Sequence, residues 1–181
     1  MTLLEMKKKV LKLIEEINTD DSEKITDDID IENKLVDVTN QIMFELCRIK
    51  KLPAYETIEV KENEEIELEK ELKNFYQLEA IRGVQFEEYG NLIIFNEAGT
   101  AKIYYFKYPK RITAENEANY KFEISDDVLE IMPYGIAADI LKSDVSNQYG
   151  KIYENRYMEL KQGLDPRYNT GSVYIEGGID V

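Results

Sequence analysis

The chain has 181 residues, 43% of them apolar and 33% charged, with 37 acidic residues against 23 basic ones and no histidine. That length supports one domain with a real core, or one domain carrying a smaller one, and this composition excludes a disordered chain. A formal charge of -14 argues against ordinary nucleic-acid binding, in which Lys and Arg neutralise phosphates.

No apolar run approaches the roughly 20 residues that span a bilayer, so no membrane association is expected. The opening MTLLEMKKKVLKLIEEI keeps its lysines inside an amphipathic pattern and lacks a small-residue cleavage site, so it does not read as a signal peptide. The single Cys47 excludes an internal disulfide and fits a reducing compartment. The soluble cytoplasm is the expectation.

A first helix is predicted over residues 2–17. Thr2 and Glu5 stand at capping-box spacing, and Leu3, Met6, Val10, Leu13, Ile14 and Ile17 make its apolar face. Residues 18–28 form a polar loop. A second helix is predicted over 31–49, with Ile31, Leu35, Val38, Ile42, Leu46 and Ile49 on one stripe and Pro53 as its stop.

The period then drops to two. Thr57, Glu59 and Lys61 alternate with Ile58 and Val60, and Glu65, Glu67 and Glu69 alternate with Ile66 and Leu68, which predicts two short strands with one polar face. Residues 76–81 read as another strand. Tyr89-Gly90-Asn91 is a turn signal between 84–86 and 92–95, and 96–99 is a second turn leading into 101–108. About five strands result, as an antiparallel sheet or small sandwich. Residues 112–120 are a polar connection, and 121–124 a possible further strand.

Residues 126–164 read as two helices joined by a break at 143–147, and such a pair favours an antiparallel arrangement. Leu129, Met132, Ile136, Ile140 and Leu141 mark one stripe; Tyr149, Tyr153, Tyr157, Leu160 and Leu164 mark the other. Ser125 with Asp126 and Asp127 supplies an N-cap and first-turn negative charge, and Gly163 a stop. Pro133 removes a backbone donor, so the first of these helices is kinked there or starts there. In the tail, residues 165–171 read as loop and Ser172 to Glu176 as a lone strand, which folds back on its own sheet, joins a neighbour's, or stays disordered. The fold class is therefore α+β: a four-helix bundle-like core interrupted by an antiparallel β insertion, with a strand-like tail. The divisions are 1–52 for the N-terminal helices, 53–124 for the insertion, 125–164 for the helical pair and 165–181 for the tail.

Catalytic signals are mostly missing. Without histidine there is no His-based triad, base or metal ligand. Cys47 has no activating partner and sits in a helical pattern, as a structural cysteine does. The nine glycines never fall at P-loop or dinucleotide spacing. The acidic run 62–71 reads as a solvated strand face rather than a cation site. Carboxylate-only catalysis is the one enzymatic route left open, and nothing points to it. No catalytic residue, metal or cofactor is assigned.

Tyrosine is in surplus, with 13 copies and no tryptophan. Tyr104, Tyr105 and Tyr108 fit a strand. The helical row Tyr149, Tyr153 and Tyr157 serves either core packing or a protein–protein seam, since tyrosine offers large area with a polar tip.

The run Leu129-Glu130-Ile131-Met132-Pro133-Tyr134-Gly135-Ile136-Ala137-Ala138-Asp139-Ile140-Leu141, then Tyr153-Glu154-Asn155-Arg156-Tyr157, then Leu164-Asp165-Pro166-Arg167, resembles head-completion and head–tail connector (adaptor) proteins of tailed phages and prophages of Gram-positive hosts. The common form there is a leucine-proline-tyrosine helix rich in alanine, an acidic break and an asparagine-arginine-tyrosine helix. This chain departs from it with Met132 before the proline and Gly135 where a second tyrosine is frequent. The resemblance covers about 40 residues well. It implies a non-enzymatic ring subunit in the virion neck, made in the bacterial cytoplasm, that joins portal and tail proteins and lets DNA pass without sequence-specific binding. Candidate interface residues are Tyr134, Tyr149, Tyr153, Arg156, Tyr157, Val173, Tyr174 and Ile175. A tail-completion protein is the alternative within this class. Outside it stands a β-sandwich module binding carbohydrate or a host protein, which an exposed aromatic patch on the sheet would favour.

Overall fold

The computed structural model describes residues 1–18, 24–142 and 148–164. Helix α1 (Leu3–Leu13) starts at the capping box that its sequence predicts: the Thr2 N–H donates to Glu5 Oε2 at 2.8 Å, and the Glu5 N–H donates to Thr2 Oγ1 at 3.2 Å. The helix does not reach residue 17. Glu15 takes a left-handed φ of 61°, and the Glu16 N–H returns to the Leu11 carbonyl at 2.9 Å, a Schellman-type stop built without glycine. Helix α2 (Ile29–Ile49) begins two residues earlier than its stripe suggests, because Asp28 caps it through the N–H groups of Asp30 and Ile31.

Helix α2 ends before Pro53, which lies within strand β1 (Leu52–Val60). Strand β2 (Glu64–Glu67) stops where alternation alone would carry it on to Glu69. The Leu72 N–H bonds to the Leu68 carbonyl, closing a helical turn, α3 (Leu68–Glu71), that tucks Leu68 and Leu72 into the core. Then follow β3 (Phe75–Arg82), β4 (Phe86–Tyr89), β5 (Leu92–Phe95) and β6 (Gly99–Lys107). They form two three-stranded antiparallel sheets, in orders β1-β6-β3 and β2-β5-β4. Gly83, at φ +98°, turns the chain between them where a Cβ would lie 2.5 Å from the Thr100 carbonyl oxygen, so only glycine fits. The inner faces of both sheets meet in one core of Val60, Ile66, Ile81, Ile93, Phe95, Ile103 and Tyr105.

After β6 the chain returns to the helices. Residues 121–124 do not add a strand: a single bridge pairs Lys121 with Thr2, and Phe122 and Ile124 enter the helical core instead. The buried Asn40 side chain grips this returning segment from both sides. Its Nδ2 donates to the Ile112 carbonyl and its Oδ1 accepts from the Ile112 N–H, each at 2.9 Å. One turn further along α2, Phe44 stacks on Tyr108 at 5.4 Å, and Tyr76 packs on Tyr108 at 4.6 Å.

Helix α4 (Asp126–Leu141) is continuous from Asp126 with Pro133 inside it, so it does not start at the proline. Ser125 holds the cap backbone, but its side chain makes no capping bond; Asp127 Oδ1 accepts from the Val128 N–H at 3.0 Å. Helices α1, α2 and α5 (Gln148–Gln162) all pack on α4. This is why its burial extends beyond the predicted stripe to Val128, Ile131, Pro133 and Ala137. The molecule is thus mixed α+β, with a helical core and a sheet core joined by short segments. Among the described residues no helix is long and apolar enough to cross a membrane. The 143–147 break and the 165–181 tail lie outside the described residues.

Gly135 on α4 faces Tyr157 on α5. A Cβ there would sit 2.8 Å from the Tyr157 ring and 3.2 Å from Ile42 Cδ1. Gly135→Ala gains about 1 kcal/mol of helix propensity but overpacks a buried ring, which costs about 1–3 kcal/mol. Urea unfolding should show a net loss of stability.

Asp127 also ties α4 to the end of α2 through Lys50 Nζ at 2.9 Å. Partial burial pushes its carboxyl up, but contacts with Ser125, Lys50 and the Val128 N–H outweigh that and hold it below the usual carboxylate range. A depressed folded-state value gives stability that is present above the unfolded value of about 4 and is lost as pH falls through the folded one. Asp127→Asn should therefore flatten the acid limb of the stability–pH curve, read from melting temperatures between about pH 3 and pH 7.

Candidate protein-interaction surfaces

The α5 tyrosines divide by depth. Tyr157 is buried, seated on Gly135 and Ile42 and flanked by Glu45. Burial, then the Glu45 carboxylate, push its phenol well above the ordinary value. Lys161 pairs with Glu45 and lies 5.7 Å from the Tyr157 ring centroid, closing the contact between α5 and α2. Tyr157 is core.

Tyr153 is half-buried. Its hydroxyl donates to the Leu13 carbonyl at the end of α1, and its ring lies 6.4 Å from that of Tyr134. Burial first, then Glu15, Tyr149 and Tyr134, raise its phenol. Tyr134 is half-buried beside a shallow hollow with Lys9, Lys12, Leu13 and Pro133. These two rings join α4, α5 and α1 from outside.

Tyr149 is 61% exposed, and Ile152 and Met158 on the same helix are also exposed. Arg156 is exposed and pairs with Glu159 one turn on, at 2.7 Å. An i,i+3 surface pair of this kind contributes little to stability and leaves the guanidinium accessible. Val173, Tyr174 and Ile175 lie outside the described residues. On the other flank of α5, a groove of about 330 Å³ opens among α2, α4 and α5, lined by residues such as Glu45, Asp139, Glu154 and Met158.

A second aromatic surface lies on the β1-β6-β3 sheet. Tyr105 is buried, and its hydroxyl donates to Glu56 Oε1 at 3.2 Å. Tyr104 points the opposite way, half-exposed, with its ring 6.2 Å from that of Tyr55 and Arg82 Cζ 5.3 Å above it. Tyr55 is 71% exposed. Sequence reasoning missed it by starting the strand at Thr57; following the alternation back through Tyr55 and Pro53 would have found it.

Cys47 is buried, and burial alone pushes its thiol up to about 12, so it is no thiolate at neutral pH. Among the described residues no group of three or more Cys, Asp or Glu side chains converges to hold a cation. What the geometry offers is contact area. No protein-family model matches the chain, and comparison with curated proteins finds no match.

Tyr153→Phe should cost about 1 kcal/mol for the lost bond to Leu13, whereas Tyr149→Ala should stay within about 0.5 kcal/mol of the parent. Parallel urea titrations would separate the ring that holds the helices from the ring that stands 61% exposed.

Proposed function

We propose that this chain is a ring subunit of a tailed-phage neck, a non-enzymatic assembly protein linking the portal to the tail. In this reading α1, α2, α4 and α5 make a four-helix bundle with α4 as its axis. The observation that carries the proposal is the division of labour within the 129–164 stretch. Its Met132-Pro133-Tyr134 portion lies in the buried helix on which the others lean, while Tyr149, Ile152 and Met158 stay exposed on α5. Exposed apolar and aromatic side chains on a rigid helix are what side-to-side association in a ring uses.

The charge fits the same reading. A channel for DNA must not grip phosphates, and an acidic lumen, for which a chain with a net charge of -14 has the residues, would repel them. The reading calls for no cofactor or metal. It places the protein in the virion, with portal and tail-side proteins as partners.

The second reading, a binding module for carbohydrate or a host protein, draws on the exposed Tyr55 and half-exposed Tyr104. Arg82 over Tyr104 and the exposed Lys102 in register with it outnumber Glu59 on that face, which suits an acidic partner better than a neutral sugar.

Electron microscopy of lysates from a phage with this gene disrupted decides between the two. Filled or leaking heads beside free, complete tails are expected for a neck subunit. Joined, normal particles that fail only to adsorb would overturn it in favour of the host-binding module.

A further inference from the structure

The two sheets turn one face each into their common core and leave two outer faces of opposite character. On β1-β6-β3, Tyr55 and Tyr104 stand in register with Arg82 close above, and Phe106 occupies the next outward row beneath Lys51. Phe106 belongs to neither core but is itself buried, so Tyr55 and Tyr104 are the rings that this face presents. The exposed Lys102 stands in register with Arg82, and Glu59, bonded to Thr100, is the acidic residue at the far end. This is an aromatic pair flanked by cations. On β2-β5-β4, the half-buried Ile94 pairs in register with exposed Glu65 on one side and exposed Glu87 on the other. Leu92 pairs likewise with Glu67 and Tyr89. This is an apolar row flanked by carboxylates.

We propose that the Tyr55–Tyr104–Arg82 face of one copy docks on the Glu65–Ile94–Glu87 face of a second copy. Both faces are strand surfaces with the same inter-strand spacing of about 4.8 Å, so their rows match in pitch when stacked about 10 Å apart. The aromatic rings cover Ile94 and Leu92, while Arg82 and Lys102 meet the carboxylates. Two copies at -14 repel at long range, but physiological salt screens that beyond about 8 Å, and the local pairing acts at contact. A single-stranded nucleic acid would also stack on such rings, yet as a polyanion it meets the full acidic charge of the chain without a carboxylate-matched surface of its own. Because unlike patches meet, the contact is heterologous and repeats from copy to copy, closing into a ring where the rotation allows. The inference rests on the ring reading above and adds a sheet-to-sheet contact to the one proposed for α5.

The test places one exposed cysteine beside each face, Thr57→Cys in one preparation and Tyr89→Cys in a size-tagged second. Cys47 is buried and stays out of the reaction. Equal amounts of the two are mixed and treated with a short bis-maleimide. The 57–89 product should exceed the 57–57 and 89–89 products several-fold. Arg82→Glu with Lys102→Glu in the first copy should lower it roughly tenfold, and Glu65→Lys with Glu87→Lys in the second should restore it. Circular dichroism of every variant checks that the fold is kept. Products in random proportion, or an excess indifferent to the charge reversals, would each overturn the proposal. Those results would bear on this contact alone, because the neck reading is decided by particle morphology.

Discussion

The packing of three helices onto α4 is the constraint on which the helical half depends. A helix that meets neighbours on several sides keeps only a narrow polar face, here Asp126, Asp127 and Glu130, and α4 accordingly buries Val128, Leu129, Ile131, Met132, Ile136, Ala137 and Ile140. Hydrophobic burial of this kind is the dominant favourable term in folding, so the bare surface left by shortening α4 would expose every neighbour at once. Gly135 sets how closely α5 can approach, since Tyr157 fills the space a side chain would take. Pro133 is tolerated within the helix because the surrounding packing holds the backbone against its missing bond.

From that constraint follows the character of the surface. Tyr157 is spent inward and Tyr153 committed to the end of α1, while Ile152 and Met158 stay exposed on α5. The sheets show the same economy. Each buries one face in the shared core, and the two remaining faces carry opposite charge on a chain that is acidic as a whole. Segregation of sign on an object so small favours directional contacts over indiscriminate adhesion.

Much of this was legible in the sequence, and the failures have physical causes. Thr2 and Glu5 announce the first helix because a capping box is purely local chemistry. Its end was invisible, because Glu15 adopts a left-handed conformation usually left to glycine or asparagine. Alternation placed most of the strands, but it could not show that Leu68 leaves the strand to close a turn over the core. Residues 121–124 alternate like a strand and instead bind the chain near Thr2, a long-range partner that no periodicity encodes. The row of α5 tyrosines was visible as a row. Which member goes inward depends on Gly135 across the interface, and that contact exists only in three dimensions.

Asn40 and Phe44 sit one turn apart on α2 and hold the two ends of the 108–112 segment, one through paired amide bonds and the other through stacked rings. Neither grip contains a carboxylate or an ion pair, so acid and salt act on the neighbouring Lys107–Glu123 bridge while leaving this joint alone. In mechanical terms α2 is a two-point clip. Pull or twist on the sheets would reach the helices through α2 before any strand must unzip, and the sheet pair would respond as a lever rather than as a frayed end.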